Sequence, residues 1–255
     1  MLSGSVMITG CSRGLGLEMV KQLVKSPSAP RVVIATCREP NKAMELQQLA
    51  RDHSCINIIK FDVVDYQSLP GLVQQVDEAV GASGLNLLIN NAGVLEKCPT
   101  QMFGMPLEQL EPQVFNSVMN TNTTAPLMLT KAMLPLLRQA AARSEGPLSV
   151  QRAAVINMSS ILSSIGDFVF NPDIYGYRAS KAALNMLTMA LAKEYGKEGL
   201  LFVAVHPGWV KTDMGTTAAE LTIEESISQV FQLLDDLTEK HNGLLISYTG
   251  AVVPW

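Results

Sequence analysis

Short apolar runs alternate along the chain with longer segments in which apolar residues recur at helical spacing. The short runs are almost continuously apolar, which is typical of parallel strands that are buried on both faces. This pattern predicts about seven strands; they cover residues 5–9, 31–35, 56–61, 85–89, 153–158, 200–206 and 244–247. The periodic segments predict helices at 15–25, 41–52, 69–80, 113–137, 177–195 and 224–237.

The alternation of strands and helices predicts an α/β fold, a single doubly wound parallel sheet with helices on both faces. The chain shows neither a linker nor an internal repeat, so we expect one domain over residues 1–255. Residues 211–220 follow Pro207-Gly208 and lack apolar periodicity. We therefore expect residues 207–223 to form a mobile segment that covers a substrate pocket.

A glycine-rich loop, TGCSRGLG at residues 9–16, joins the first strand to the first helix. Glycines permit positive φ and close backbone approach. A helix N-terminus offers free N–H groups and a positive dipole end to a pyrophosphate. The strand–loop–helix context is the one a dinucleotide site requires, although the spacing is G-x-x-x-G-x-G rather than G-x-G-x-x-G. The alternative is a structural glycine turn.

The end of the second predicted strand bears on which dinucleotide is bound. An NAD site of this type has an acid about 20 residues past the glycines to bind the ribose 2′-OH. Neither Thr36 nor Cys37 is acidic, and Arg38 follows them. The planar guanidinium of Arg38, with that of Arg13 in the loop, suits a 2′-phosphate. We predict NADP(H), although Glu39 would oppose the phosphate and both arginines would otherwise be solvated surface residues.

Tyr177 and Lys181 stand four positions apart in YRASK, which places both side chains on one face of a helix. A lysine beside a tyrosine favours the phenolate, so the phenol can exchange a proton nearer neutral pH. Such a phenol is suited to protonate a carbonyl oxygen during hydride transfer. A Tyr-x-x-x-Lys pair alone is more often ordinary helix surface, and the glycine loop is what favours catalysis here.

Six motifs occur in the order found in the short-chain dehydrogenase/reductase family, which the chain resembles over essentially its whole length. They are TGCSRGLG, NNAG at 90–93, a helical Asn122, Ser159-Ser160, YRASK at 177–181 and HPGWVKT at 206–212. Residues 161–177 and 247–255 resemble the sniffer-type, C-factor-like carbonyl reductases within that family. The resemblance implies a Rossmann-type fold and an oxidoreductase activity.

The resemblance also implies a catalytic set. Tyr177 would be the acid/base, and Lys181 would hold the nicotinamide ribose and depress the tyrosine pKa. Ser160, rather than Ser159, would bind the substrate oxygen, and Asn122 would hold a water in a proton relay through Lys181. The gap of 17 positions (177 − 160) is longer than the family's usual spacing. The simpler alternative for Ser160 is a strand-end serine that satisfies backbone groups.

The resemblance implies the following cofactor contacts: Gly10, Ser12, Arg13, Gly14, Leu15, Gly16, Arg38, Asp62, Val63, Asn90, Ala92, Gly93, Tyr177, Lys181, Pro207, Gly208, Val210 and Thr212. Thr212 would bond the nicotinamide carboxamide, and Asp62 would contact the adenine ring. Two of these residues have simpler alternative roles. Asp62 can be a helix N-cap, and the Asn90 side chain can stabilise a turn at the end of its strand.

Composition restricts the other functions. The net charge of −4 gives no electrostatic case for nucleic acid or an anionic membrane. No apolar run reaches the roughly 18 to 20 residues of a membrane span, and the N-terminus lacks a signal-peptide pattern. Four cysteines without C-x-x-C spacing indicate free thiols in a reducing, cytoplasmic compartment. Three histidines far apart in sequence argue against a metal site.

The sequence therefore predicts an NADPH-dependent carbonyl reductase that acts as a homodimer or homotetramer. A hydrophobic aldehyde, ketone or quinone suits the apolar residues expected at the pocket; these are Val94, Ile161, Phe168, Val169, Phe170, Pro207, Trp209 and Met214. Three alternatives stay open. They are the same chemistry run as an alcohol dehydrogenase, an NADP(H)-binding regulatory protein with a vestigial catalytic set, and a Rossmann-type methyltransferase.

Overall fold

The computed structural model describes residues 2–96, 98, 104–169 and 173–255, so Phe170 of the expected pocket lies outside the described residues. Its strands are β1 Ser5–Thr9, β2 Val32–Cys37, β3 Ile56–Lys60, β4 Leu87–Asn90, β5 Ala154–Met158, β6 Leu201–His206, β7 Leu245–Ser247 and β8 Val252–Val253. Each of the predicted strands is present, with ends displaced by at most two residues. The continuous burial of β1, β2, β4 and β5 explains why their sequences are mostly apolar. The polar exceptions are Ser5, Thr9, Thr36, Asn90 and Asn157, which are also buried.

The strands form one sheet in the order β3-β2-β1-β4-β5-β6-β7-β8. Neighbouring strands are parallel throughout, except that β8 runs antiparallel to β7. The prediction of a doubly wound parallel sheet is confirmed. The eighth strand was not predicted, because two residues after a turn are too short to give a periodic pattern.

Helices cover both faces of the sheet. They are α1 Gly14–Lys25, α2 Met44–Asp52, α3 Leu69–Val80, α4 Pro112–Met119, α5 Ala125–Ala142, α6 Tyr175–Tyr195 and α7 Ile223–Asp236. Successive residues of a strand point to opposite faces. Accordingly Val6 and Ile8 of β1 pack in one apolar cluster and Met7 packs in the other.

The range 113–137, predicted as one helix, is helical throughout and the helix extends over 112–142, but it is not α-helical throughout. A five-residue π-helical segment, Asn120–Thr124, separates α4 from α5. Pro126 supplies the physical reason, because a proline has no N–H to donate to the carbonyl of Asn122 four positions earlier. Such widened turns are frequent at functional sites, and Asn122 lies within this one.

The sheet topology fixes where a ligand can bind. From β1 the chain builds outward through β2 and β3, and it then returns to place β4 on the other side of β1. In sheets of this kind the crevice lies beyond the carboxyl ends of the strands at that reversal. The glycine loop after β1, the NNAG segment after β4 and Ser160 after β5 all lie at this edge.

Candidate active site

The glycine loop is shaped for close approach of a ligand. Gly10 and Gly14 have φ of +74° and +59°, a conformation that side-chain-bearing residues rarely adopt. A Cβ on Gly16 would lie 2.3 Å from the Gly10 carbonyl oxygen, so this position also requires glycine. Helix α1 begins at Gly14 and no side chain caps it. Its first N–H groups are therefore arranged to receive a pyrophosphate.

Hydrogen bonds join the glycine loop to the end of β4. Thr9 Oγ1 accepts from the backbone N–H groups of Asn91 and Ala92, both at 3.0 Å. The Asn91 side chain donates to the Thr9 carbonyl at 2.8 Å. These bonds hold the two loops that flank the crevice in one fixed arrangement. The sequence indicated no role for Thr9, because a single threonine at a strand end has no distinctive pattern.

Asn90 has a buried structural role. Its amide donates to Asn157 Oδ1 at 2.8 Å and to Thr130 Oγ1 at 3.2 Å. The Asn90 side chain thus cross-links β4 with β5 and α5. The Asn90 side chain therefore does not stabilise a turn, as the simpler alternative proposed. Because its amide is bound within the protein, only the backbone of Asn90 could contact a cofactor.

The adenosine end of the crevice carries exposed charges. Arg38 stands exposed just beyond β2, whereas Thr36 and Cys37 are buried in the sheet. Glu39 pairs with Lys42 at 2.6 Å, and this hydrogen bond lowers the Glu39 pKa. The carboxylate that would oppose a 2′-phosphate is therefore partly compensated by a cation of its own.

Asp62 and Val63 follow β3 at the same end. Asp62 Oδ1 accepts from the backbone N–H of Val64 at 3.2 Å and so holds a tight turn. The short helix that follows begins at Tyr66 and has Asp65 at its N-cap position. Asp62 is consequently not a helix N-cap.

Arg13 connects the glycine loop to the segment 207–223. Its guanidinium pairs with the Asp213 carboxylate at 2.8 Å, and both side chains are exposed. Thr212 also approaches the loop, since its Cγ2 would be 3.9 Å from a Cβ placed on Gly14. The segment therefore lies beside the glycine loop, where the pyrophosphate is predicted to bind.

The segment 207–223 is itself ordered by hydrogen bonds. Its two arms are joined by Lys211 N–H to the Leu221 carbonyl at 2.9 Å and by Leu221 N–H to the Trp209 carbonyl at 3.1 Å. Within the loop, Trp209 Nε1 donates to the Gly215 carbonyl at 2.8 Å. The sequence could not predict these hydrogen bonds, because turns and isolated bridges leave no periodic pattern of apolar residues.

Helix α6 carries the Tyr–Lys pair and begins at Tyr175, two residues before the predicted start. Lys181 Nζ lies 5.6 Å from the centroid of the Tyr177 ring, so the two side chains share one face as expected. Lys181 is only 5% exposed, and its Nζ donates to the Met158 carbonyl at 2.7 Å. This bond anchors the lysine to the end of β5.

The structure distinguishes the two adjacent serines. Ser160 shares a side-chain hydrogen bond with Tyr177, and it also accepts from the Leu162 N–H at 3.2 Å. Ser159 instead donates to Asn185 Oδ1 at 2.6 Å inside the core. The preference for Ser160 over Ser159 therefore agrees with the geometry around the tyrosine.

Asn122 is fully buried and ties three elements together. Its Oδ1 accepts from the Val94 N–H and its Nδ2 donates to the Val94 carbonyl, both at 2.8 Å. The same Nδ2 donates to Ser180 Oγ on α6 at 3.1 Å. A Cβ on Gly93 would lie 3.2 Å from Asn122 Oδ1 and 3.7 Å from Lys181 Nζ. Asn122 thus lies next to Lys181, and its side chain is used in hydrogen bonds to Val94 and Ser180.

Burial dominates the electrostatics of the pair. Desolvation raises the pKa of Tyr177 to about 12, the Ser160 hydrogen bond lowers it, and the negative charge of Glu96 raises it. Desolvation lowers the pKa of Lys181 to about 8. The expectation that Lys181 depresses the tyrosine pKa is not met here, because burial disfavours the charged form of both groups.

Sequence reasoning missed Glu96, which lies in the connection after β4. The residue is 2% exposed, and its carboxylate accepts from the backbone N–H of Gly176 at 2.7 Å. It also accepts from the Tyr177 N–H at 2.9 Å. A lone glutamate in a loop carries no sequence signal for such a role, since its partners stand 80 and 81 positions away.

Four of the residues expected at the substrate pocket have exposed apolar side chains. The exposed fractions are 37% for Val94, 60% for Phe168, 46% for Val169 and 43% for Trp209. The Arg178 guanidinium lies 4.6 Å from the Phe168 ring centroid. These residues are not core, so the alternative that they only fill the interior does not apply to them.

Two negative findings concern the part of the chain that the structure describes. No helix within it is both long and apolar enough to cross a membrane. Nor do the residues placed there bring together three or more His, Cys, Asp or Glu side chains that would hold a metal ion.

Comparisons with known proteins agree with the motifs. A family model described as short chain dehydrogenase matches residues 5–222. The carbonyl reductase Sniffer of D. melanogaster superposes with a TM-score of 0.95 at 40% identity, over 99% of this chain and 100% of that one. An NADPH-bound carbonyl reductase from chicken fatty liver gives 0.94 at 40% identity, over 100% and 96%. C-signal of Myxococcus xanthus is 34% identical over 173 residues, 67% of this chain and 93% of that protein.

Proposed function

The chain belongs to the short-chain dehydrogenase/reductase family, and from that premise we propose that it is an NADPH-dependent carbonyl reductase. The observation that carries the proposal is the corner formed by Ser160, Tyr177 and Lys181 at the carboxyl edge of the sheet, beside the glycine loop. This corner supplies a proton donor next to a site shaped for a dinucleotide.

NADPH fits the residues that are present. The first turn of α1 would hold its pyrophosphate, and Gly10, Gly14 and Gly16 leave room for close approach. Arg38, with Arg13, would hold the 2′-phosphate, and the buried Thr36 and Cys37 place no carboxylate there. The similar chicken carbonyl reductase is NADPH-bound, which supports the same choice. When bound, NADPH supplies the hydride that reduces the carbonyl carbon.

The remaining contacts carried over from the family belong to the same proposal. Ser12 and Leu15 would complete the glycine loop around the pyrophosphate. Asp62, Val63, Asn90, Ala92 and Gly93 would line the adenosine side. Pro207, Gly208, Val210 and Thr212 would border the nicotinamide.

Tyr177 is the proton donor in this proposal. Its hydroxyl protonates the substrate oxygen, and the Ser160 hydroxyl hydrogen-bonds the same oxygen as negative charge develops there. The electron pair of the O–H bond stays on the phenol, which must then recover a proton. Lys181, with its Nζ 5.6 Å from the centroid of the Tyr177 ring, would take part in that return, and Asn122 would hold a water in the relay.

The substrate class follows from the apolar side chains around the corner. Val94, Phe168, Val169 and Trp209 expose apolar surface to a ligand, and this favours a hydrophobic aldehyde, ketone or quinone. In this proposal residues 207–223 cover the bound substrate, and the Arg13–Asp213 pair joins that segment to the glycine loop.

The alternatives differ in how they use the same residues. Alcohol oxidation reverses the reaction and requires the tyrosine as phenolate. A vestigial regulatory protein would not need the hydrogen-bonded arrangement of Ser160, Tyr177 and Lys181. A methyltransferase is excluded by family membership. Homodimer or homotetramer assembly and a cytoplasmic location remain predictions from the sequence.

An NADPH-consumption screen tests the proposal. The purified protein is given NADPH and a panel of aromatic aldehydes, aliphatic ketones and quinones, and the cofactor absorbance is followed. We expect turnover with apolar carbonyls and much weaker turnover with NADH. Binding of NADPH without turnover of any carbonyl would favour the regulatory alternative instead.

A further inference from the structure

Glu96 is a buried carboxylate at the amino end of the helix that carries the proposed acid. It is 2% exposed, and none of the described cationic side chains pairs with it. Its hydrogen-bond partners are the N–H groups of Gly176 and Tyr177. A buried charge of this kind is costly unless it is hydrogen-bonded. Its place within an active site therefore requires a physical explanation.

The first explanation is positional. The first N–H groups of a helix have no partner within the helix, and α6 has no side-chain cap at its N-cap residue Ile174. Glu96 supplies acceptors to two of these donors, and one of them is the backbone N–H of Tyr177 itself. The positive end of the helix dipole favours an anion at this point. The carboxylate thus fixes the start of α6 and the backbone from which the phenol projects.

The second explanation is electrostatic. Negative charge near a phenol disfavours the phenolate, and the charge of Glu96 acts on Tyr177 in this direction. Lys181 faces the same ring from α6, with its Nζ 5.6 Å from the ring centroid. Ser160, from the end of β5, hydrogen-bonds the phenol and favours its ionised form. Burial is the largest influence on the pKa of Tyr177 and raises it, and Glu96 adds to that effect while the Ser160 hydrogen bond opposes it.

The other charged groups near this end of α6 are engaged elsewhere. The Arg178 guanidinium donates to the Leu162 carbonyl at 3.1 Å and to the Val169 carbonyl at 2.5 Å. Asp173, just before the helix, causes no resolved shift in the pKa of Tyr177. Asn122, from the π-helical segment, is uncharged. Glu96 is thus the negative charge of the described chain that acts on the phenol.

We propose that Glu96 is a positioning residue that fixes the backbone of Tyr177 and adds to the effect of burial in keeping the phenol in its protonated, carbonyl-reducing form. This inference rests on the proposed function, because it assigns Glu96 a role through the proposed acid. It predicts a preferred direction of use. Reduction needs the phenol protonated, whereas alcohol oxidation needs the phenolate that Glu96 disfavours.

The sign of the pH dependence follows from this role. The contribution of Tyr177 to the rate of reduction is constant below its pKa and falls as pH rises through it, whereas Lys181 titrates separately, with a pKa that burial lowers to about 8. The rate of oxidation rises as pH passes through the pKa of the phenol in the oxidised complex. Glu96 raises both pKa values, so it extends reduction to higher pH and delays oxidation to higher pH.

Two substitutions separate the positional and electrostatic effects. Glu96→Gln keeps a side-chain oxygen that accepts the Gly176 and Tyr177 N–H groups but removes the charge. We expect it to fold normally and to keep its maximal rate of reduction. Two pH profiles of kcat/KM should change in this variant. The fall at alkaline pH for reduction and the rise for oxidation should both shift to lower pH. Glu108→Gln, an exposed carboxylate in the same β4–α4 connection, is the matched control and should leave both limbs in place.

Glu96→Ala removes the acceptor as well as the charge. The lost hydrogen bonds to a charged group should lower the maximal kcat by about 10-fold or more. Thermal unfolding and NADPH titration check that this variant retains its fold and its cofactor site. An Ala variant with the maximal kcat of the Gln variant would overturn the positional part of the proposal.

A titration that needs no turnover separates this proposal from the proposed function. The phenolate absorbance of Tyr177 is measured after rapid alkaline pH jumps, as the difference between each protein and its Tyr177→Phe counterpart. Phenolate should form at lower pH in Glu96→Gln than in the unmodified protein and in Glu108→Gln. Coincident titration curves for the three would overturn the electrostatic part even if every carbonyl were reduced. A shifted curve in a protein that reduces no carbonyl would leave Glu96 correctly assigned and the proposed function wrong.

Discussion

The two ends of the crevice are built in different ways. At the catalytic end, Asn122, Ser160 and Lys181 are 0%, 7% and 5% exposed, and each makes hydrogen bonds to neighbouring elements. At the adenosine end, Arg38 is exposed, and Arg13 makes one surface ion pair with a side-chain exposure of 76%. In the proposed function the chemistry would thus have a rigid frame, whereas the selection of the nucleotide would be left to exposed charges.

The difference has a physical reason. Proton and hydride transfer require atoms held at fixed separations, and packing with buried hydrogen bonds supplies that precision. Recognition of a phosphate requires cations that can reach it, and exposed arginines serve without a desolvation cost. An exposed ion pair such as Arg13–Asp213 is worth only about 0 to 1 kcal/mol, so a phosphate can displace it readily. Substitutions at the two ends should therefore differ in what they change and by how much.

The largest effect is expected at the catalytic end. Tyr177→Phe removes one hydroxyl and should lower kcat by roughly 10²- to 10⁴-fold, the usual contribution of general acid catalysis. The fold and the affinity for NADPH should be unchanged, as judged by circular dichroism and fluorescence titration. Tyr175→Phe, on the first turn of the same helix, is the control and should keep nearly normal activity. Near-normal kcat in Tyr177→Phe would show that another group donates the proton.

A smaller and more selective effect is expected at the adenosine end. Arg38→Ala should weaken NADPH binding by roughly 10- to 150-fold, the range for a hydrogen bond between charged groups. Binding of NADH should hardly change, because NADH lacks the 2′-phosphate. Isothermal titration with both cofactors measures the difference, with the exposed Arg51→Ala of α2 as control. Equal losses for the two cofactors would mean that Arg38 does not bind the 2′-phosphate.

The smallest effect concerns the segment 207–223, which lies between the two ends. Although hydrogen bonds order residues 211–220, their amides should exchange faster in the free protein than those of β5, since elements that open for a ligand have low local stability. Protection should rise when NADPH and a carbonyl ligand are both present, because closure excludes water. Hydrogen exchange followed by mass spectrometry measures this, with the amides of β5 as an internal reference. Unchanged protection would identify the segment as a plain connection between β6 and α7.

Much of the fold was predictable because the sheet is buried on both faces. Strands such as Val32–Cys37 and Leu201–His206 are apolar at all but one position, and that signal survives without any tertiary information. The π-helical segment Asn120–Thr124 was not predicted, although Pro126 was a visible sign of a break. Strand β8 is a two-residue pair defined by its partner, so a local pattern could not show it.

The candidate site was predictable where it depends on spacing along one element. The Tyr177–Lys181 pair needed only the helical period, and the glycine loop needed only its flanking strand and helix. Glu96 acts on residues 80 positions away, and the pKa of Tyr177 depends on burial. Neither property is encoded locally, so the sequence pattern could not show that burial raises the tyrosine pKa.

The most direct test of the proposed activity follows an isotope from cofactor to product. NADPH that carries deuterium at its transferable C4 position is incubated with the protein and an apolar carbonyl that it consumes, and the product is examined by mass spectrometry and NMR. We expect one deuterium on the carbinol carbon, with the hydroxyl proton coming from solvent, and almost no product with Tyr177→Phe. Cofactor oxidation without deuterium on the carbinol carbon, or no alcohol product at all, would contradict carbonyl reduction by this chain.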